Sequence, residues 1–379
     1  MTRSAYLDYN AGAPMRPEAV AAMTEALATG GNPSSVHGAG RDARRRMEEA
    51  RARVAALAAA DPSGVVFASG GTEANALALR GSGRDRVLVS AVEHASVREA
   101  VAAETIPVGG DGVVDLDALD HLLAADPRPA LVSVMLANNE TGVIQPVARV
   151  AEMARRHGAL VHCDACQAPG RIVVSLSDLG VDFLTMSAHK LGGPAGIGAL
   201  VLADPDFALA PILLGGGQER RRRAGTENLA GIVGFGAAAA MAADDIGSGV
   251  AILGVCNLRD DLESEVRRRV PDAVVVGAGA PRIGNTACLA LPGVAAQIQV
   301  AALDLAGVMV SAGAACSSGK VAESHVLAAM GLEPAIAGSA VRVSLGWASR
   351  REDVDAFLDA WTELARRKGL RVNEAAKAA

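Results

Sequence analysis

The sequence predicts an α/β fold built on a mostly parallel sheet with helices on both faces. From residue 65 to about 205, short apolar runs alternate with helical patterns, and each apolar run ends in a polar or reactive side chain. Alternation of this kind threads a parallel sheet between helices. In such sheets ligands bind beyond the carboxyl ends of the strands, where those polar side chains collect.

Residues 30–40 combine Gly, Asn, Pro and Ser and read as a loop. Residues 41–58 form an amphipathic helix, with Ala43, Met47, Ala50, Val54 and Leu57 on one stripe and Asp61-Pro62 beyond its end. Its arginines pair with Glu48 and Glu49 at helical spacing, so Arg44–Arg46 is a solvated face. Strands are expected at 65–68, 87–90, 131–136, 160–163, 183–186 and 199–202. Helices are expected at 74–79 and 147–157.

Composition narrows the function. The chain has 379 residues, enough for two or three domains at roughly 150 residues each. Half the residues are hydrophobic, so a sizeable core is expected rather than disorder. With 36 basic and 42 acidic residues there is no general nucleic-acid footprint. Asp8 interrupts the N-terminal region, so no secretory signal is expected. The uncharged stretches 229–243 and 285–303 are broken by glycine or by Asn285, Pro292, Gln297 and Gln299, and neither reads as a membrane span. Five cysteines, an odd number in a long chain, point to a reducing, cytoplasmic setting. Of the 36 basic residues only Lys190, Lys320, Lys368 and Lys377 are lysines, and the last two lie in the polar C-terminal tail.

The residues just after each strand carry the chemistry. After 65–68 comes Ser69-Gly-Gly-Thr-Glu-Ala-Asn75, a glycine turn opening a helix, which suits phosphate. It is not a P-loop, because no Gly-Lys-Ser/Thr comes after it. The next strands deliver Glu93-His94, then Asn138-Asn-Glu-Thr-Gly142, then Asp164 and Gln167, then Ser187-Ala-His-Lys190. Buried polar groups are costly unless partnered, so five strand ends in sequence are hard to assign to packing. Pyridoxal phosphate needs a lysine amine, a carboxylate facing its ring nitrogen and a phosphate cradle. Lys190, Asp164 and residues 70–72 supply them.

These motifs, with Tyr6-Leu-Asp-Tyr-Asn-Ala11, Gly31-Asn-Pro-Ser-Ser-Val-His37, Gly215-Gly-Gly-Gln-Glu-Arg220, Ala224-Gly-Thr-Glu-Asn228 and residues 311–319, run in order over nearly the whole chain. Together they resemble the cysteine desulfurases, the NifS/IscS-like group of class V, fold-type-I pyridoxal-phosphate enzymes. The resemblance implies a seven-stranded large domain over about residues 15–255. It also implies a smaller α/β domain made of residues 1–14 and 256–379. Lys190 then binds pyridoxal 5'-phosphate covalently. Asp164 faces the ring nitrogen, Gln167 the phenolic oxygen, and His94 stacks on the ring and moves protons. Asn139 lies by the ring oxygen and the substrate. Gly71, Thr72, Ser187 and His189 hold phosphate, and Thr226 does so from the partner of a homodimer. Arg342 grips the substrate carboxylate, a task suited to a guanidinium. Cys316, in Ser311-Ala-Gly-Ala-Ala-Cys-Ser-Ser-Gly319, is the sulfur-accepting nucleophile. The implied reaction turns L-cysteine into L-alanine through an enzyme persulfide, with the sulfur passing to an iron–sulfur scaffold protein. The alternatives on the same cofactor are a selenocysteine lyase or another class V aminotransferase or lyase. Neither nucleic acid nor membrane is an expected partner.

Other features read differently. Cys163-Asp-Ala-Cys166 lacks a second pair at zinc spacing, so no metal site is expected. A redox or scaffold protein using those two thiols is the alternative from another class. Cys163, Cys166, Cys256 and Cys288 read as small core residues, and His121, His157 and His325 as ordinary histidines. Arg220–Arg223, without aromatic platforms, reads as a solvated or intersubunit loop. Lys320 either lowers the Cys316 thiol pKa or is a solvated charge. Ala11-Gly-Ala-Pro14 departs from the family's Ala-Thr-Thr-Pro and lacks both hydroxyls.

Overall fold

The computed structural model describes residues 4–313 and 324–373. Strand β1 (Ala5–Tyr6) precedes the main sheet of seven. Its strands are β2 (Val65–Ala68), β3 (Arg86–Ser90), β4 (Glu104–Ile106), β5 (Ala130–Ser133), β6 (Leu160–Asp164), β7 (Phe183–Ser187) and β8 (Gly198–Leu202). They lie in the order β2-β8-β7-β6-β5-β3-β4. Strands β3 to β7 pair in parallel, and β8 runs antiparallel to both β7 and β2. Most of these strands are buried along their whole length, as helices on both faces require. Alternate residues feed opposite faces: Leu88, Val132 and Leu184 enter one core, Val87, Leu131 and Phe183 the other.

The boundaries depart from the sequence reading in small ways. The strand expected over 131–136 has its regular part at Ala130–Ser133, and Val134 and Leu136 go on donating to the His162 and Asp164 carbonyls of β6. The edge strand β4 leaves no pattern in the sequence because it has three residues and two are polar. The helix expected over 41–58 spans Gly38–Leu57, capped by the His37 side chain accepting from the Gly40 N–H. It starts early because a Cβ at Gly40 would sit 2.2 Å from the Ser35 carbonyl, so only glycine lets that turn close. Helix Leu229–Ser248 is long and apolar enough to cross a membrane. Half of that apolar stretch is buried, and the helix packs on Gly38–Leu57 and Pro17–Thr29.

A second sheet, β12-β13-β10-β9, is antiparallel throughout. It uses β9 (Val274–Val276), β10 (Thr286–Ala290), β12 (Ser311–Ala312) and β13 (Ala340–Ser344), while β11 (Val308–Met309) pairs in parallel with β1. Its core gathers Ala5 and Leu7 with residues between Leu262 and Ala365. The N-terminal strand therefore returns residues 8–13 to the edge of the main sheet's site.

One buried ion pair fastens the arginine-rich loop. Arg51 makes a fork to Glu219, 2.8 Å on each arm, and Glu219 also accepts the Phe67 N–H at 2.9 Å. Residues 219–221 are held at positive φ, a strained geometry for non-glycine residues. The run 220–223 is only partly solvated: Arg222 is buried and Arg223 pairs with Glu73. Glu219→Gln should leave Arg51 with only the half-exposed Glu48 carboxylate, 3.0 Å from its Nε, and cost about 2 kcal/mol in urea unfolding. Stability within about 0.5 kcal/mol of the parent would contradict the fastening role.

Candidate active site

Asp164 is the last residue of β6 and is buried. Both its oxygens accept hydrogen bonds, Oδ2 from Asn75 Nδ2 at 2.8 Å and Oδ1 from the Cys166 N–H at 2.9 Å. Among the described residues no cation pairs with it. Nearby Glu93 is wholly buried, and desolvation pushes its carboxyl well above the usual range. Asn75 stands one turn into helix Gly71–Gly81, and its Oδ1 is buried without a partner.

Lys190 ends the short turn after β7. Its Nζ donates to the carbonyls of Asn10 and, at 2.9 Å, Ala11. Burial, aided by the Arg342 charge, brings its amine down to about 8. The parallel register sets β7 beside β6, so Lys190 and Asp164 face one space. That space is a cavity of about 280 Å³.

At one end of the cavity helix Gly71–Gly81 presents its N-terminus. A Cβ at Gly71 would lie 2.7 Å from Cys166 Sγ and 3.6 Å from Ser187 Cβ, so the close approach requires glycine. Thr72 and Ser187 bring hydroxyls, and Ser187 Oγ lies 2.8 Å from His189 Nδ1. Burial, with Lys190 beside it, lowers His189 to about 4, so it is a neutral hydrogen-bonding ring. Hydroxyls, a neutral imidazole and free N–H groups at a helix start form a phosphate seat. His94 comes after β3, and its Nδ1 accepts the Ser96 N–H at 3.1 Å, which leaves Nε2 free for the cavity it lines. Arg342, on β13, donates to Asp8 at 2.7 Å and to the Asn139 carbonyl at 3.0 Å, and its Nε is unpartnered.

Ten residues singled out in the sequence line this one cavity: Gly71, Thr72, His94, Asn139, Asp164, Gln167, Ser187, His189, Lys190 and Arg342. Thr226 does not. It is exposed and lines a separate cleft with Ser69, Gly196 and Asn228. Cys316 and Lys320 lie outside the described residues. Cys166 also lines the cavity, so it is more than a core residue. Its thiol is pushed well above its usual range by burial and Asp164, and Cys163 likewise, which leaves both as poor nucleophiles. Among the described residues no cluster could hold a metal ion. Asn10 and Asn75 are supports that the sequence does not single out. The one visible signal is the spacing of Asn75, four residues after Gly71 on a helix.

The donor set fits pyridoxal phosphate. An unpaired buried carboxylate suits a ring cation, an amine with lowered pKa suits carbonyl attachment, and the helix start suits the phosphate. Where the family's threonines would stand, Ala13 gives only its N–H, to the His189 carbonyl at 2.8 Å.

Residues 5–357 match the model of the aminotransferase class-V family. A cysteine desulfurase of Cereibacter sphaeroides is 42% identical over 370 residues, 93% of this chain and 94% of that protein. An IscS-like cysteine desulfurase of Mycobacterium tuberculosis is 39% identical over 374 residues, 94% of each. The solved structure of a NifS-like protein from Rickettsia africae superposes with a TM-score of 0.89 at 33% identity, covering 96% of this chain and all of that one.

The lowered lysine makes a pH prediction. Only the unprotonated amine attacks a carbonyl, so capture of pyridoxal phosphate by the apo-protein should speed up as pH rises and level off above about 8. Stopped-flow absorbance measures this. A rate still climbing steeply past about pH 9.5 would mean that Lys190 keeps an ordinary amine.

Proposed function

The chain belongs to the aminotransferase class-V family, and from that membership and its nearly full-length likeness to cysteine desulfurases we infer that it is a pyridoxal-phosphate-dependent cysteine desulfurase. The observation that carries the reading is the single cavity in which Lys190, Asp164 and the helix start at Gly71 converge. When bound, the cofactor supplies an electron sink next to the substrate's α-carbon.

The residues divide the work. Lys190 would hold the cofactor, and as a free amine it is a base titrating at about 8. Asp164 keeps a positive charge on the ring nitrogen, which maintains the pull on electrons. His94 offers Nε2 for proton movement. Arg342 orients the substrate carboxylate, with Asp8 and the Asn139 carbonyl fixing its guanidinium. His189 stays neutral and shares its Nδ1 with Ser187 at the phosphate.

The net reaction balances without an outside reductant. The Cβ–S bond of L-cysteine breaks, its sulfur bonds to the Cys316 thiolate as a persulfide, and a proton replaces sulfur on carbon to give L-alanine. The sulfur is oxidised by the same two electrons that reduce the carbon. We propose an iron–sulfur scaffold protein as the acceptor, as the resemblance to the IscS-like group implies, and a cytoplasmic setting. A homodimer is part of the proposal: the exposed position of Thr226, away from its own subunit's phosphate seat, suits a contact across to a partner's.

Cys316→Ser separates the two stages. The variant should bind cofactor and stay yellow, and L-cysteine should still perturb its spectrum, because the described cavity is intact. Alanine release should fall about a hundredfold or more, since a hydroxyl cannot displace sulfur. Cys166→Ser should lose far less. A nearly normal Cys316→Ser beside a dead Cys166→Ser would remove the persulfide route.

A further inference from the structure

Gln167 lines the cofactor cavity, while Arg171, one helical turn later in sequence, does not. Arg171 lines a small neighbouring cavity of about 60 Å³ that Lys190 also borders. Its guanidinium donates to the Gln167 side-chain oxygen, to the Gln167 carbonyl at 3.1 Å and to the Tyr9 carbonyl at 3.4 Å. Among the described residues no carboxylate pairs with it. It is a half-buried cation whose hydrogen bonds all end on neutral oxygens.

That arrangement fixes an amide. Gln167 Nε2 donates to the Asn10 carbonyl at 3.0 Å. A guanidinium can only donate, and a backbone carbonyl can only accept. Held between them, the Gln167 side chain has one workable orientation. Flipped, it would set NH₂ against guanidinium and oxygen against oxygen, turning two attractions into two repulsions. The lock leaves the second Nε2 hydrogen for the cavity. The Asn10 carbonyl also accepts from Lys190 Nζ, so amide and lysine are set by the same atom.

We infer that Arg171 is a positioning residue that locks Gln167 as a hydrogen-bond donor toward the cofactor's phenolic oxygen. The inference rests on the reading of Gln167 as that oxygen's partner. A donor there keeps the oxygen ionised and the bound cofactor yellow. An amide free to turn its oxygen inward favours the protonated oxygen, which moves absorbance into the near-ultraviolet. A purely electrostatic role differs in its signature. Arg171 and Arg342 both lower the basicity of the Lys190 nitrogen, so losing one cation would extend the yellow form to higher pH and lower, not raise, the near-ultraviolet share.

The test is the spectrum of the holo-protein at one fixed pH, for Arg171→Met, Arg171→Lys and Gln167→Met. In Arg171→Met the ratio of near-ultraviolet to yellow absorbance should rise roughly threefold to tenfold, the scale of one hydrogen bond. Arg171→Lys, whose ammonium still donates, should restore most of the parent ratio. Gln167→Met should reproduce the rise. If Gln167→Met shifts the spectrum and Arg171→Met does not, the lock is wrong while the reading of Gln167 stands. If Gln167→Met leaves the spectrum unchanged, that reading fails and the lock with it. Arg171→Leu, with the same expected rise, replaces Arg171→Met should the latter not fold.

Discussion

A carboxylate buried without a cation is the constraint around which this site is organised. Asp164 takes hydrogen bonds from Asn75 and from the backbone of Cys166, yet these donors are neutral. Taking an ion out of water costs several kcal/mol, and neutral donors only partly offset it. Glu93 meets the same difficulty, and burial pushes its carboxyl well above the usual range. The Asp164 carboxyl group, bonded only to neutral donors, instead makes a place for a positive ring nitrogen. Lys190, lowered to about 8 by burial and by Arg342, has the complementary need, since its amine gives up its proton more readily than a surface lysine does.

Topology brings these needs together. Strands β3 to β7 run in parallel, so their carboxyl ends open on one side of the sheet. His94, Asp164 and Ser187 stand at or just past the ends of three different strands, and adjacent register turns a separation of tens of residues into neighbouring side chains. The N-terminal strand, held by the second core, adds the Asn10 carbonyl and the Asp8 carboxylate. The cavity is thus built from segments that meet only after both cores have formed.

The polar residue after each apolar run is visible in the sequence because burial makes such residues expensive and therefore informative. Asp164 and Lys190 stand out for that reason, and the scarcity of lysines sharpens the second. Supports that act through the backbone are not visible. Nothing in the letter code says that the Asn10 carbonyl accepts from both Lys190 and Gln167. Arg171 looks like one more arginine among 32 because its role comes from a meeting with a side chain four residues away and the Tyr9 carbonyl. Cys166 looks like core because its own side chain is small and apolar. Only the close approach of Gly71 shows that its sulfur borders the cavity. The place of Thr226 away from the cavity depends on a loop held at positive φ, which local sequence patterns do not encode.

The most direct measurement compares how far pyridoxal phosphate raises the thermal unfolding midpoint of the parent and of Asp164→Asn. Asparagine keeps the shape and removes the charge. If Asp164 is held charged for a ring cation, the apo variant should unfold at or above the parent apo-protein, and saturating cofactor should stabilise it markedly less than the parent. Equal stabilisation of the two proteins by the cofactor would contradict the account.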